Sequence, residues 1–200
     1  MAGLAKGYDV TAIHQGSGDI WIIVAGIPAD GAIPQLTLVA GTPDATTHAG
    51  SICLGTTESG IDFTLKQKFS DVKIDQADAP VDRIVDETDG MIEAELSQQS
   101  VDLLQQALST GVYTAASGYK QITFGGTYIV PSVCVAAISP KRTCSSLYLV
   151  SMLFKANSEG GLQVAMKKSK KGTHKVQFKG LADMARTAGR QIGVHYETLT

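Results

Sequence analysis

Nine carboxylates crowd one stretch of this chain: Asp71, Asp75, Asp78, Asp82, Asp86, Glu87, Asp89, Glu93 and Glu95, opposed only by Lys73 and Arg83. Carboxylates at this density could ligate calcium or divide into an acid and a base. A calcium loop needs Asp-x-Asn/Asp-x-Asp/Asn-Gly spacing, and the gaps here are wider. What remains is a solvated loop, or an acidic surface that meets a basic one or lines a channel. A basic block follows later. Lys167, Lys168, Lys170, Lys171, Lys175, Lys179, Arg186 and Arg190 stand against the single acid Asp183. Such a block can bind a polyanion. Its only aromatic residue is Phe178, so it makes a poor stacking platform for single-stranded nucleic acid. It also falls on an expected hairpin tip, where lysines routinely protect strand edges.

Other chemistry is thinly represented. His14, His48, His174 and His195 are far apart, and none sits in a His-Glu-x-x-His motif. There is no Gly-x-Ser-x-Gly and no Gly-Lys-Ser/Thr, and Gly16-Ser17-Gly18 precedes a strand rather than a helix, so it is not a phosphate loop. Cys53, Cys134 and Cys144 are an odd number at wide spacing, without Cys-x-x-Cys. That is neither a disulfide framework nor a zinc site. The apolar run around Cys134 marks it as a buried, inert thiol. Catalytic residues, cofactor and metal are therefore all expected to be none.

The elements that would position these blocks are mostly strands. Charged residues make up only 18% and glycines number 21, a balance ordinary for a β-rich chain. The formal charge of −2 gives no global attraction to nucleic acid or membrane. No apolar run is long enough for a membrane helix, and the N-terminus lacks a signal-peptide core, which predicts folding in a cytoplasm. Residues 1–18 read as an arm or loop, and 19–200 as a single β domain.

Strands are expected at 19–27, 34–40 and 51–57. From Gly60 the alternation is clean, with Ile61, Phe63, Leu65 and Phe69 on one face and Asp62, Thr64, Lys66 and Lys68 on the other. The acidic stretch then reads as a long connection, with a turn at Asp89-Gly90 and a short strand from Met91 to Leu96. One helix is predicted over about 97–110, capped by Ser97 or Ser100 and stopped by Gly111. Its stripe of Val101, Leu104 and Leu108 must lie on a sheet. Later strands are expected at 121–130, 132–139, 146–156, 162–168, 173–181 and 191–198. The sum is an all-β sandwich or half-barrel with one flanking helix.

The order of strand, acidic connection, strand and single helix over Ile61–Leu108 resembles the tail tube proteins of long-tailed bacteriophages. So do Ala79-Pro80-Val81 within that connection, the closing run Lys175-Val176-Gln177-Phe178-Lys179-Gly180-Leu181-Ala182-Asp183, and Gly193-Val194-His195-Tyr196. The likeness covers most of residues 50–198 and is one of pattern and order. It implies a fold related to the tube protein of type VI secretion, with strands joining an inter-subunit β-barrel. It also implies a virion protein, assembled in the host cytoplasm, whose hexameric rings stack into the conduit for DNA ejection. Implied partners are further copies of the chain, a tape-measure protein, tail terminator and baseplate proteins, and double-stranded DNA passing without specific binding, with no membrane.

On that resemblance Asp71, Asp75, Asp78, Asp82, Asp86 and Asp89 are candidates for a ring-to-ring contact. Lys167, Lys168, Lys170, Lys171 and Lys175 are a candidate basic assembly patch. Segregated opposite charges suit head-to-tail association. Two other readings stand beside it: a soluble β-sandwich that binds polyanions through the lysine face, and another virion part such as a head–tail joining or decoration protein.

Overall fold

A computed structural model of the chain describes residues 18–30, 35–73, 79–97, 100–108, 111–125, 130–140, 147–159 and 173–198. The described residues are mostly strand, with one short helix. The strands are β1 (Asp19–Ile23), β2 (Leu38–Val39), β3 (Thr42–Pro43), β4 (Ile52–Val72), β5 (Asp82–Leu96), β6 (Val112–Ala116), β7 (Tyr119–Thr123), β8 (Val133–Pro140), β9 (Tyr148–Ser158), β10 (His174–Gly180) and β11 (Gly193–Glu197). The helix α1 spans Val101–Ala107, between β5 and β6.

The main sheet is antiparallel in the order β10-β5-β4-β1-β8-β9-β11, and a further β10–β9 pairing closes it on itself. The expected half-barrel is thus completed within one chain, six strands around, with β11 appended to the outer edge of β9. Closure removes strand edges that an open sheet would leave bare.

Alternation along the strands fills the interior. Ile20 and Ile22 from β1, Leu54 from β4, Ile92, Ala94 and Leu96 from β5, and Val176 and Phe178 from β10 meet in one core cluster. The alternate residues of β1 and β8 face outward and are buried too. Ile23, Cys134, Ala136 and Ile138 form a second cluster with Val150, Met152 and Phe154 of β9. This outer layer is covered by the strap at 35–50, through Leu36, which is 4% exposed, and Leu38. The buried His48 ties the strap down. Its Nε2 accepts the Thr37 N–H at 3.0 Å and its Nδ1 lies 3.1 Å from the Ala25 carbonyl oxygen.

Four expectations need correcting. Residues 51–57 and 61–69 belong to a single strand, β4, because Gly55 (φ +107°) and Gly60 (φ +96°) let it bend without ending. The predicted turn at Asp89-Gly90 lies inside β5. The predicted strand at 121–130 is instead the second arm of a β6–β7 hairpin that ends at Thr123. The helix is shorter than 97–110, since Ser100 takes the N-cap position with extended backbone and makes no side-chain cap bond. The expected strand at 162–168 and the arm at 1–17 lie outside the described residues.

Candidate functional site

Among the described residues most of the acidic stretch is strand, β4 running out to Val72 and β5 starting at Asp82. β4 and β5 pair continuously from Ile61↔Ala94 out to Val72↔Asp82, with one bulge between Lys68 and Phe69. β10 covers β5 only over Met91–Leu96, and β1 covers β4 only near its start. The outer part is therefore a two-stranded ribbon that projects from the barrel by roughly 25–30 Å at ordinary strand rise. Both of its edges lack a strand partner among the described residues. The β5 arm of this ribbon is exposed from Asp82 to Glu87 without a half-buried alternation, so that part of the sequence reads as a connection.

Register explains what the acids do. Lys66 stands opposite Asp89, and Lys68 opposite Glu87. Asp71, near the tip, accepts from Arg83 Nε at 2.8 Å, and the same guanidinium lies 5.8 Å from the Phe69 ring. Asp82 accepts the Arg83 N–H at 2.7 Å, and Asp86 at the bulge accepts from the Ser70 hydroxyl. Asp75 and Asp78 lie outside the described residues.

The basic block is split. Lys175 on β10 meets Glu93 at 3.1 Å, while Lys179 lies 3.7 Å from both Asp89 and Glu159. These acid–base contacts are made within the chain. At the surface each contributes little energy, yet together they neutralise this face. Lys167, Lys168, Lys170 and Lys171 lie outside the described residues. Arg186 serves the fold: it stacks 3.5 Å from the Phe154 ring, donates to Asp183 Oδ2 and to the Pro28 carbonyl, and is nearly buried.

The ribbon carries apolar residues that are about half exposed among the described residues. Leu65 is 54% exposed, Phe69 48%, Ile84 56% and Val85 46%. Where the ribbon leaves the barrel it faces the segment before β11 across a cleft of about 620 Å³. Phe63, Leu65 and Val85 form one apolar wall and Leu153 and Ile192 another, with Asp86 and Glu87 at the ribbon side and no lysine or arginine in the lining. Gly90 and Gly193 make the close approach possible. A Cβ on Gly90 would lie 2.9 Å from Ile192 Cγ2, and one on Gly193 would lie 2.3 Å from the Met152 carbonyl oxygen.

His195 stands in this cleft, stacked on Phe63 with ring centroids 5.8 Å apart, and its Nδ1 lies 2.8 Å from Ser151 Oγ. A serine beside an imidazole is the start of a nucleophile pair. Here the two are direct cross-strand partners, Ser151 is buried, and among the described residues no carboxylate bonds the imidazole. The pair reads as a cross-strand link between β9 and β11. Its only sequence signal is the expected strand at 191–198, which does not reveal a partner on another strand. Among the described residues no three His, Cys, Asp or Glu side chains are grouped to hold a metal ion. Burial pushes the Cys134 thiol up to about 12, so it is not a ready nucleophile.

Beside α1 the structure makes one site that sequence reading missed. Asp102 accepts from the Tyr113 hydroxyl on β6 and from Lys120 Nζ on β7 at 2.5 Å, clamping the hairpin to the helix. Leu108 is buried, Val101 and Leu104 are half-buried, and Ala107 enters the barrel core.

No protein-family model matches the chain, and no curated protein matches it in sequence. No helix among the described residues is long and apolar enough to cross a membrane. Among the described residues the fold is a closed antiparallel β-barrel with a projecting, edge-exposed ribbon.

Proposed function

We propose that the chain is a structural subunit that polymerises, and that its polymer is a tail tube of the bacteriophage type: hexameric rings that stack head to tail around a lumen for DNA. One observation carries this reading, the ribbon of β4 and β5. A two-stranded ribbon is marginal in water by itself. One that also exposes Leu65, Phe69, Ile84 and Val85 has both the edges and the apolar surface that a neighbouring copy would cover. Ribbons related by rotation about a ring axis bring the β4 edge of one copy to the β5 edge of the next. Because β4 and β5 run antiparallel, that contact continues as an all-antiparallel barrel. The tape-measure, terminator and baseplate proteins are partners implied by the same reading.

Negative-stain electron microscopy of the purified protein across concentrations tests it, read beside a variant lacking residues 72–86. The intact chain is expected to give rings or tubes. The shortened chain is expected to keep the far-ultraviolet dichroism of a folded β-barrel and to remain monomeric. Intact tubes from the shortened chain would sink the role given to the ribbon. A native chain that stays monomeric and binds DNA tightly would favour the polyanion-binding alternative.

A further inference from the structure

On the barrel, the acids of β5 take their partners from its outer edge. β10 runs along that edge, pairing from His174↔Leu96 to Lys179↔Met91. Lys175 stands opposite Glu95 and bridges to Glu93 at 3.1 Å. Lys179 stands opposite Met91 and lies 3.7 Å from Asp89. Each of these lysines therefore reaches the acid two residues nearer the ribbon tip. On the other side of β5, β4 sets Lys66 opposite Asp89 and Lys68 opposite Glu87. Among the described residues neither of these two lysines makes an ion pair, and Glu87 makes none either.

β10 leaves β5 at the base of the ribbon. Its residues 178–180 pair with Ser158, Asn157 and Ala156 of β9. From Asp82 to Gly90 the outer edge of β5 has no strand beside it among the described residues. Directly opposed residues share a face, so Asp89 and Glu87 lie on the face of Lys66 and Lys68. Leu65, Phe69 and Val85 lie on the other face. A strand continuing the place of β10 must run antiparallel to β5 and bring ammonium groups two residues apart to the charged face.

β4 of a second copy meets each condition. It is antiparallel to β5, as β10 is, and it carries Lys66 and Lys68. Its own outer edge is bare beyond Ile52–Thr56, the part that pairs with β1. We infer that β4 of one copy pairs along the outer edge of β5 of the next, with Lys66 and Lys68 on the carboxylates of Glu87 and Asp89. This rests on the self-assembly reading and supplies its specificity. The charge row selects which edges meet, and slippage by one residue would turn the lysines to the apolar face. Two different edges make the contact, so it is heterologous and repeats.

Two measurements test it on the full-length chain. In the first, unlabelled and isotope-labelled native copies are mixed, coupled with a carbodiimide, and analysed by mass spectrometry. Peptides joining Lys66 or Lys68 to Glu87 or Asp89 are expected in mixed-isotope form. Such links found only between like isotopes would mean that the lysines serve their own ribbon. That result, or Glu87 linked only to other lysines, would overturn the inference.

The second exchanges charge. One variant carries Lys66→Glu with Lys68→Glu, the other Glu87→Lys with Asp89→Lys, each checked for folding by far-ultraviolet dichroism. Alone, each is expected to need about tenfold or more higher concentration to associate, read by light scattering. Mixed, they should associate, because each supplies the edge the other lacks, and added salt should weaken that association. A chain carrying all four changes should associate too. If it does and the mixture does not, the charges act only within one ribbon and the inference fails. Tubes unaffected by either pair of changes would overturn the inference and leave the proposed function standing. Mixed-isotope links and charge rescue without rings or tubes would do the reverse.

Discussion

At the residue scale the most informative side chain is Asp102. Hydrogen bonds from Lys120 and then Tyr113 hold its carboxyl below the usual carboxylate range, and the same hydrogen bonds, with its charge second to them, raise both partners. The direction of each shift fixes the pH dependence. A lowered carboxyl contributes in full above its unfolded value, about 3.9, and its contribution is lost as pH falls below that. A raised phenol or ammonium contributes in full below about 10 and is lost as pH rises above it. The clamp on the β6–β7 hairpin should thus hold across a plateau and release at both ends. Amide hydrogen exchange over residues 112–123 is expected to quicken below about pH 4 beyond the intrinsic pH dependence. Asp102→Asn should abolish that extra acid limb. Persistence of the limb in the variant would assign it elsewhere. None of this is legible in the sequence, because Asp102 is simply an acid in the first turn of a helix, where the helix dipole favours one. The partners come from a hairpin whose first strand, β6, has no clean alternation.

At the scale of elements, sequence and structure agree wherever one face of a strand is buried. The β4 face of Ile61 and Phe63 packs against the core, and β8, β9, β10 and β11 fall near their expected positions. Agreement fails where burial does not impose a period. The outer ribbon is wet on both faces, and the bends in β4 at Gly55 and Gly60 read as strand ends. β9 is apolar on both faces because the barrel interior lies on one side and the strap at 35–50 on the other. The join between β9 and β11 is the tightest of these contacts, since any side chain at 193 would meet the Met152 carbonyl oxygen. Backbone on the other side cannot yield as a flexible side chain can. Gly193→Ala should therefore unpair β11 or strain it. By the usual size of such effects it is expected to cost about 1–3 kcal/mol, several degrees in Tm. It should also free the Ser151–His195 contact, visible as a change in the His195 imidazole resonances. An unchanged Tm would mean that β11 contributes little to the barrel.

For the whole molecule, the question is where charge is left over. Net charge is only −2, and the described lysines of β10 already meet Glu93, Asp89 and Glu159. The lysines at 167, 168, 170 and 171 are the densest positive charge in the chain. A conduit that releases DNA cannot hold it through many phosphate contacts, because each neutralised phosphate adds affinity and salt dependence. If the chain works as a tube, these four lysines serve copies of itself rather than DNA. Replacing all four by glutamate should then block polymerisation and leave the weak affinity for double-stranded DNA nearly unchanged, measured by fluorescence anisotropy at about 50 and 200 mM salt. The polyanion-binding alternative requires the opposite. There the native chain binds DNA tightly, with a steep loss between the two salt concentrations, and the glutamate variant loses binding by orders of magnitude. The two outcomes differ in sign for the same substitution, because attraction between copies and attraction to phosphate would draw on the same ammonium groups.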